Sequence, residues 1–114
     1  MIRITYEKSG NRVTVTGHAG AAEKGTDIVC AAVSALVLTL GENIRVLRDT
    51  GSLDAYCVDV KPGSAVLSCK AIAGMDPVVR CIFGAVCCGF QLVQNMHPEY
   101  VRYEEKWITG KVDS

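Results

Sequence analysis

The chain has 114 residues, 49% of them hydrophobic and 6% aromatic, and its twelve basic residues balance twelve acidic ones. A single domain of this size and composition can bury a continuous core without metal or disulfide staples, and there is too little chain for two ordinary domains. The zero formal charge, with Arg3, Lys8, Arg12, Lys24, Arg45 and Arg48 scattered rather than striped, argues against direct nucleic-acid binding.

Met1 leads straight into alternating residues, with no basic cluster before an apolar stretch, so no secretory signal is expected. The longest uncharged stretch, Ile28 to Gly41, falls short of the roughly 20 residues that cross a bilayer. It reads as a buried core helix, and the expected location is the cytoplasm. The six cysteines are Cys30, Cys57, Cys69, Cys81, Cys87 and Cys88. In a reducing compartment disulfides are not expected. No C-x-x-C pair is present, which leaves a metal or redox centre without support from spacing, and no cofactor is expected. The five cysteines other than Cys30 read as small buried hydrophobes.

Ile2, Ile4 and Tyr6 alternate with Arg3, Thr5 and Glu7, and Arg12 to Thr16 alternates again, the period-2 pattern of two half-buried strands joined by a turn at Ser9-Gly10-Asn11. A loop from Gly17 to Thr26 follows, with Gly17, Gly20 and Gly25 allowing wide backbone freedom around a polar tip. This loop is expected to be mobile. Asp27 is expected to cap a helix running to Arg48, apolar almost all round and therefore covered on most sides. Leu53–Val60 and Ala65–Ile72 flank the turn Lys61-Pro62-Gly63-Ser64. Asp76-Pro77 opens a second helix, with Asp76 as cap, and His97-Pro98 ends it. Glu99 to Lys106 forms the last strand. The order β-β-α-β-β-α-β predicts an α+β domain with one mixed sheet carrying two helices.

The chemically informative stretch is Gly17-His18-Ala19-Gly20 followed by Asp27-Ile28-Val29-Cys30-Ala31-Ala32-Val33-Ser34. With Asp27 as cap, Cys30 falls in the first helical turn, where unpaired N–H groups and the helix dipole favour a thiolate. His18 has the chemistry to take the thiol proton and pass it to a leaving amine. The same backbone N–H groups would stabilise an oxyanion. Bland readings stand beside these. A lone His at a strand end is usually a surface or hydrogen-bonded structural residue, and a Cys among Ala and Val is usually core. Asp27 is first a cap, and Ser34, one turn beyond Cys30, is either a packing residue or a hydroxyl near the sulfur. His97 precedes a Pro at a helix end, where an imidazolium suits the dipole.

These residues resemble the ribosomal-processing cysteine protease family, Prp. The family pattern is a G-H-A-G strand end, a glycine-containing loop, then D-[IV]-V-C-A-A-[VI]-S, and this sequence carries both parts with Cys30 twelve residues after His18. The element order, the apolar second helix and Pro98-Glu99-Tyr100-Val101 are also similar to the family. The resemblance implies an endopeptidase that removes the N-terminal extension of a large-subunit bacterial ribosomal protein. It implies His18 and Cys30 as the dyad, with Gly17, Asp27 and Ser34 at supporting positions, and a homodimer. With His18 and Cys30 at its two ends, the glycine loop acquires a reading as a cover over the substrate peptide. The alternative is a ribosome-associated binding or assembly factor that holds a peptide without cutting it. The domain is expected over 1–106, with 107–114 as a tail.

Overall fold

A computed structural model describes residues 1–18 and 24–107, and for 24–27 it gives the helical backbone alone. The elements are β1 (Ile2–Glu7), a 3₁₀ turn (Lys8–Gly10), β2 (Arg12–Thr16), α1 (Lys24–Asp49), β3 (Leu53–Lys61), β4 (Ser64–Ala71), α2 (Asp76–Met96) and β5 (Val101–Lys106). The five strands form one sheet in the order β3-β4-β2-β1-β5. All neighbours are antiparallel except β1 and β5, which are parallel. The mixed sheet with two helices is the architecture the periodicities predict.

Strand alternation sends one set of side chains to the helices. Ile2, Ile4 and Tyr6 of β1, Val13 and Val15 of β2, Leu67 and Cys69 of β4, and Val101 and Tyr103 of β5 are buried. They join Val29, Val33, Val37, Leu40, Ile44 and Leu47 of α1 and Val79, Phe83, Val86, Cys87 and Phe90 of α2 in one core. Tyr6 stacks on Phe83 and Phe90 on Tyr103, with ring centroids 6.0 and 6.4 Å apart. Both helices thus lie side by side on the same face of the sheet. Burial at about 25 cal/mol per Å² of apolar surface makes this layer the main source of stability. The strand β3 is an exception: beyond Leu53 it is exposed along its length.

Several expectations are corrected. α1 begins at Lys24, so Asp27 is its fourth residue and not its cap, and Gly25 and Thr26 belong to the helix rather than the loop. Gly and Thr cost at most about 1 kcal/mol each in a helix. Once a long packed helix is nucleated, extending it over such residues is cheap. Nor is α1 covered on most sides. Ile28 and Leu38 are 65% and 62% exposed, because a sheet covers a helix on one side only and α2 on one flank. Cys57, Cys81 and Cys88 are exposed, and only Cys69 and Cys87 of the five expected core cysteines are buried. Cys81 and Cys88 lie on the outer side of α2, and Cys57 lies on the uncovered strand β3. The glycine loop expected to be mobile lies, over residues 19–23, outside the described residues. So do residues 108–114 of the expected tail, whose first residue, Trp107, packs under the Arg80 guanidinium at 5.1 Å.

Asp76 is likewise not the cap of α2. Met75 takes that place, reached through a turn in which its N–H bonds the Ile72 carbonyl, and Asp76 is the first helical residue. Its carboxylate is committed elsewhere. It accepts from Arg80 Nε at 2.6 Å and from Nδ2 of the buried Asn11 at 3.1 Å, tying α2 to the β1–β2 turn. Arg80 first, then Asn11, holds the Asp76 carboxyl below its usual range. Glu105 is lowered in the same way by Lys8, 3.0 Å away, and by the Tyr103 hydroxyl at 2.8 Å. A carboxyl whose folded pKa lies below its unfolded one stabilises the fold above the unfolded value, about 4, and the contribution is lost as pH falls through the folded value. Stability to urea should therefore rise from acid to a plateau above about pH 5. Asp76→Ala should cost about 1–3 kcal/mol, because it strands the buried Asn11 amide, and should flatten part of that acid limb. Urea melts of both proteins across this range check the expectation.

Candidate active site

At the end of β2 the backbone turns out of the sheet. Gly17 has φ of +96°, a conformation that favours glycine. A Cβ there would also collide with the Met1 carbonyl. The Gly17 N–H donates to the Gly63 carbonyl at 2.9 Å, fastening the strand end to the β3–β4 turn. On the other side, the Met1 ammonium donates to the His18 carbonyl at 2.7 Å. His18 is held by its backbone on both flanks, while its imidazole is exposed.

Cys30 approaches from the helix layer. It is half-buried, packed against the core on one side and open on the other. Ser34 follows one turn later and is exposed. A cleft of about 430 Å³ brings Gly17, His18, Cys30 and Ser34 onto common walls. Its apolar lining comes from Ile2 and Val15 below, Val33, Val37 and Leu38 of α1, and Val60 of β3, with the turn 61–64 completing it. Among the described residues the one Lys, Arg, Asp or Glu side chain lining the cleft is Lys61, which pairs loosely with Asp59 at 3.6 Å. Of the other residues singled out from the sequence, Gly20 lies outside the described residues, and the side chain of Asp27 is not described. Gly25 lies in the helix rather than in the loop.

One part of the expected chemistry changes. Since α1 starts at Lys24, Cys30 is its seventh residue, beyond the first-turn N–H groups that lack helical partners. Those groups do not lie at the sulfur, so neither a first-turn thiolate nor an oxyanion site made from them follows from this geometry. What remains is a nucleophile-type side chain, an imidazole and a hydroxyl facing one apolar cleft, an arrangement suited to acyl transfer on a peptide. No cluster of three or more His, Cys, Asp or Glu side chains able to hold a metal forms among the described residues.

The turn Lys61–Ser64 is the part of the site that sequence reasoning missed. Its Pro-Gly pair signals a turn, but nothing local says that the turn meets His18. That follows from β4 pairing with β2 in the register Thr16↔Ser64, a contact between distant parts of the chain.

The cysteines divide into two sets. Burial pushes the Cys69 thiol up to about 11 and the Cys87 thiol up to about 12, keeping both protonated and unreactive near neutral pH. Iodoacetamide should therefore modify Cys30, Cys57, Cys81 and Cys88 in the native protein and spare Cys69 and Cys87 until denaturant is added. Peptide mass mapping reads this directly, and early modification of Cys87 would contradict the packing described.

A family model described as cysteine protease Prp matches residues 1–102. The ribosomal processing cysteine protease Prp of Mycoplasma pneumoniae is 24% identical over 110 residues, covering 93% of this chain and 96% of that protein. Among solved structures, SMU.848 from Streptococcus mutans is 28% identical with a TM-score of 0.68, covering 94% of this chain and 93% of its own. The essential ribosomal processing protease Prp from S. aureus, in complex with a substrate peptide, has a TM-score of 0.66 at 20% identity. Its complex with a covalently linked product peptide has a TM-score of 0.68 at 23% identity. Each of these two covers 92% of this chain and 97% of the other.

Proposed function

Because the chain belongs to the Prp cysteine protease family, we propose that Cys30 is its nucleophile and His18 its general base, and that its substrate is the N-terminal extension of a large-subunit bacterial ribosomal protein. The observation that carries the residue assignment is the shared cleft: His18 and the half-buried Cys30 arrive from different elements and line one apolar cavity. The substrate assignment draws on the ribosomal-processing activity named for the Mycoplasma relative and on the motif resemblance. Ribosome assembly places the reaction in the cytoplasm.

The steps follow from the groups present. His18 accepts the Cys30 thiol proton, and the sulfur attacks the scissile carbonyl carbon. The tetrahedral intermediate collapses as the imidazolium gives its proton to the departing amine, leaving a thioester on Cys30. Water, deprotonated by His18, then hydrolyses the thioester and restores the thiol. Ser34 is one helical turn from the sulfur on the same wall, and its hydroxyl is assigned to hydrogen bonding of the peptide or the thiolate. Gly17 supports His18 through its bond to Gly63, and Asp27 keeps the supporting place that the family motif gives it.

A peptide copying the extension should be cut by the purified protein. Cys30→Ala and His18→Ala should each lower turnover by about a thousandfold or more with circular dichroism unchanged. Cleavage by either variant at the parental rate would end the assignment. Iodoacetamide at neutral pH adds a second discriminator. Although it is half-buried, Cys30 should react at least about tenfold faster than the more exposed Cys57, Cys81 and Cys88, and His18→Ala should remove that lead. Equal rates would favour a peptide-holding factor over an enzyme.

The proposal extends to a homodimer. Outward on α2 run Val78, Cys81, Ala85, Cys88, Leu92 and Met96 at helical spacing, with Leu92 56% and Met96 70% exposed. Ile28, Ala31, Ala35 and Leu38 of α1 are exposed as well. By length and composition alone each helix would cross a membrane. Each, however, spends its inner face on the sheet core, and Glu42, Arg45, Gln91 and Asn95 interrupt the outer surface. A second copy meets an apolar stripe of this kind with a like stripe. Sedimentation equilibrium should give twice the 12.2 kDa chain mass, and Leu92→Asp should shift the protein toward monomer. A parental protein that is monomeric at all concentrations would overturn the dimer.

A further inference from the structure

We propose that the β3–β4 turn is the seat of the His18 imidazole and that Gly63 is a positioning residue for proteolysis. The inference rests on the reading of His18 as the general base. It adds a residue from a distant element that holds this base in place.

The turn is built from two residues, Pro62 and Gly63, between the paired Lys61 and Ser64. Pro at the second position and a glycine with φ of +78° at the third follow the type II turn pattern. A turn of this kind accounts for the glycine by itself. What it does not account for is the occupied space beside it. A Cβ built on Gly63 would lie 2.6 Å from Nε2, 2.9 Å from Cε1 and 3.5 Å from Cδ2 of His18. The edge of the ring fills the volume that any other side chain would need. The Gly63 carbonyl also takes the Gly17 N–H at 2.9 Å, one residue before His18. One residue therefore fixes the backbone leading to the imidazole and bounds the ring itself.

Chance contact is the competing account, and the fold supplies its own controls. Gly51 and Gly74 also have positive φ, +74° and +89°, yet a Cβ at either meets nothing within 4 Å. They share the backbone demand of Gly63 without its neighbour. Asn tolerates the left-handed conformation better than other side chains. Gly63→Asn thus keeps the turn while placing a Cβ against the ring, and Gly74→Asn does the same at a site with free space. A general base displaced by about 1 Å loses up to about 10²-fold in rate.

Three readouts are taken on the full-length protein. These are kcat and KM on the extension peptide, the pH profile of Cys30 alkylation by iodoacetamide, and the His18 ring signals by NMR. Gly63→Asn should lower kcat at least about tenfold, move the His18 ring signals and alter the alkylation profile. Gly74→Asn should leave all three at parental values. Iodoacetamide is small enough to reach Cys30 whether or not a new side chain obstructs a peptide. A Gly63→Asn protein whose loss is confined to KM, with parental ring signals and alkylation profile, would overturn the proposal. So would one with losses no larger than Gly74→Asn. Should Gly63→Asn fail to fold, Gly63→Ala at low temperature gives the same ring-signal test, with Gly51→Ala as its control for backbone strain. An active His18→Ala protein would instead strike the assignment of the base, which separates the two failures.

Discussion

The pairing of β2 with β4 is the constraint from which the cleft follows. β4 leaves its hairpin partner β3 on one side and takes β2 on the other, in the register Thr16↔Ser64. That register puts the end of β2 beside the β3–β4 turn. Because α1 must lay Val29, Val33 and Val37 on the same sheet face, its N-terminal half passes over this corner. A strand end, a hairpin tip and a helix flank converge without any of them being designed locally to meet. Shifting the pairing by one residue would turn Val13 and Val15 to the open face and lose the core together with the corner.

The alternating patterns of β1, β2 and β4, and the Lys61–Ser64 turn, are written in short-range periodicity and could be read from residues alone. So could the pairing of a His motif with a Cys motif, since both lie within one stretch of chain. What could not be read is the consequence of packing order. Nothing around Pro62 and Gly63 announces that His18 will lie against them. The start of α1 was misplaced because Asp27 is a good cap in isolation, whereas the gain from extending a packed helix outweighs the low propensity of Gly25 and Thr26. Asp76 misled for a related reason, since its carboxylate is drawn to Arg80 and Asn11 rather than to backbone N–H groups.

The cysteines show the limit of composition as a guide to burial. Cys87 and Cys88 are neighbours, yet one is buried and the other exposed, because a helix turns about 100° per residue and the core takes only one stripe. A run of apolar residues on a helix says that some face is inside. It does not say how many sides have something to lie against. In a two-layer fold the outer side has nothing, and the apolar character of both helices exceeds what one chain can cover.

The strand β3 carries a different consequence. It forms one margin of the sheet, nine residues long, and among the described residues no strand pairs with the row of backbone donors and acceptors along that margin. Such a border is a template on which unfolded or partly folded chains grow into fibrils. Two features blunt it. The register slips between Leu53 and Ala55, bending the strand at its start, and Asp54, Asp59 and Lys61 put charge near both ends. An incoming chain can align only over the short middle, 55–58, which leaves little length for templated growth even in concentrated protein.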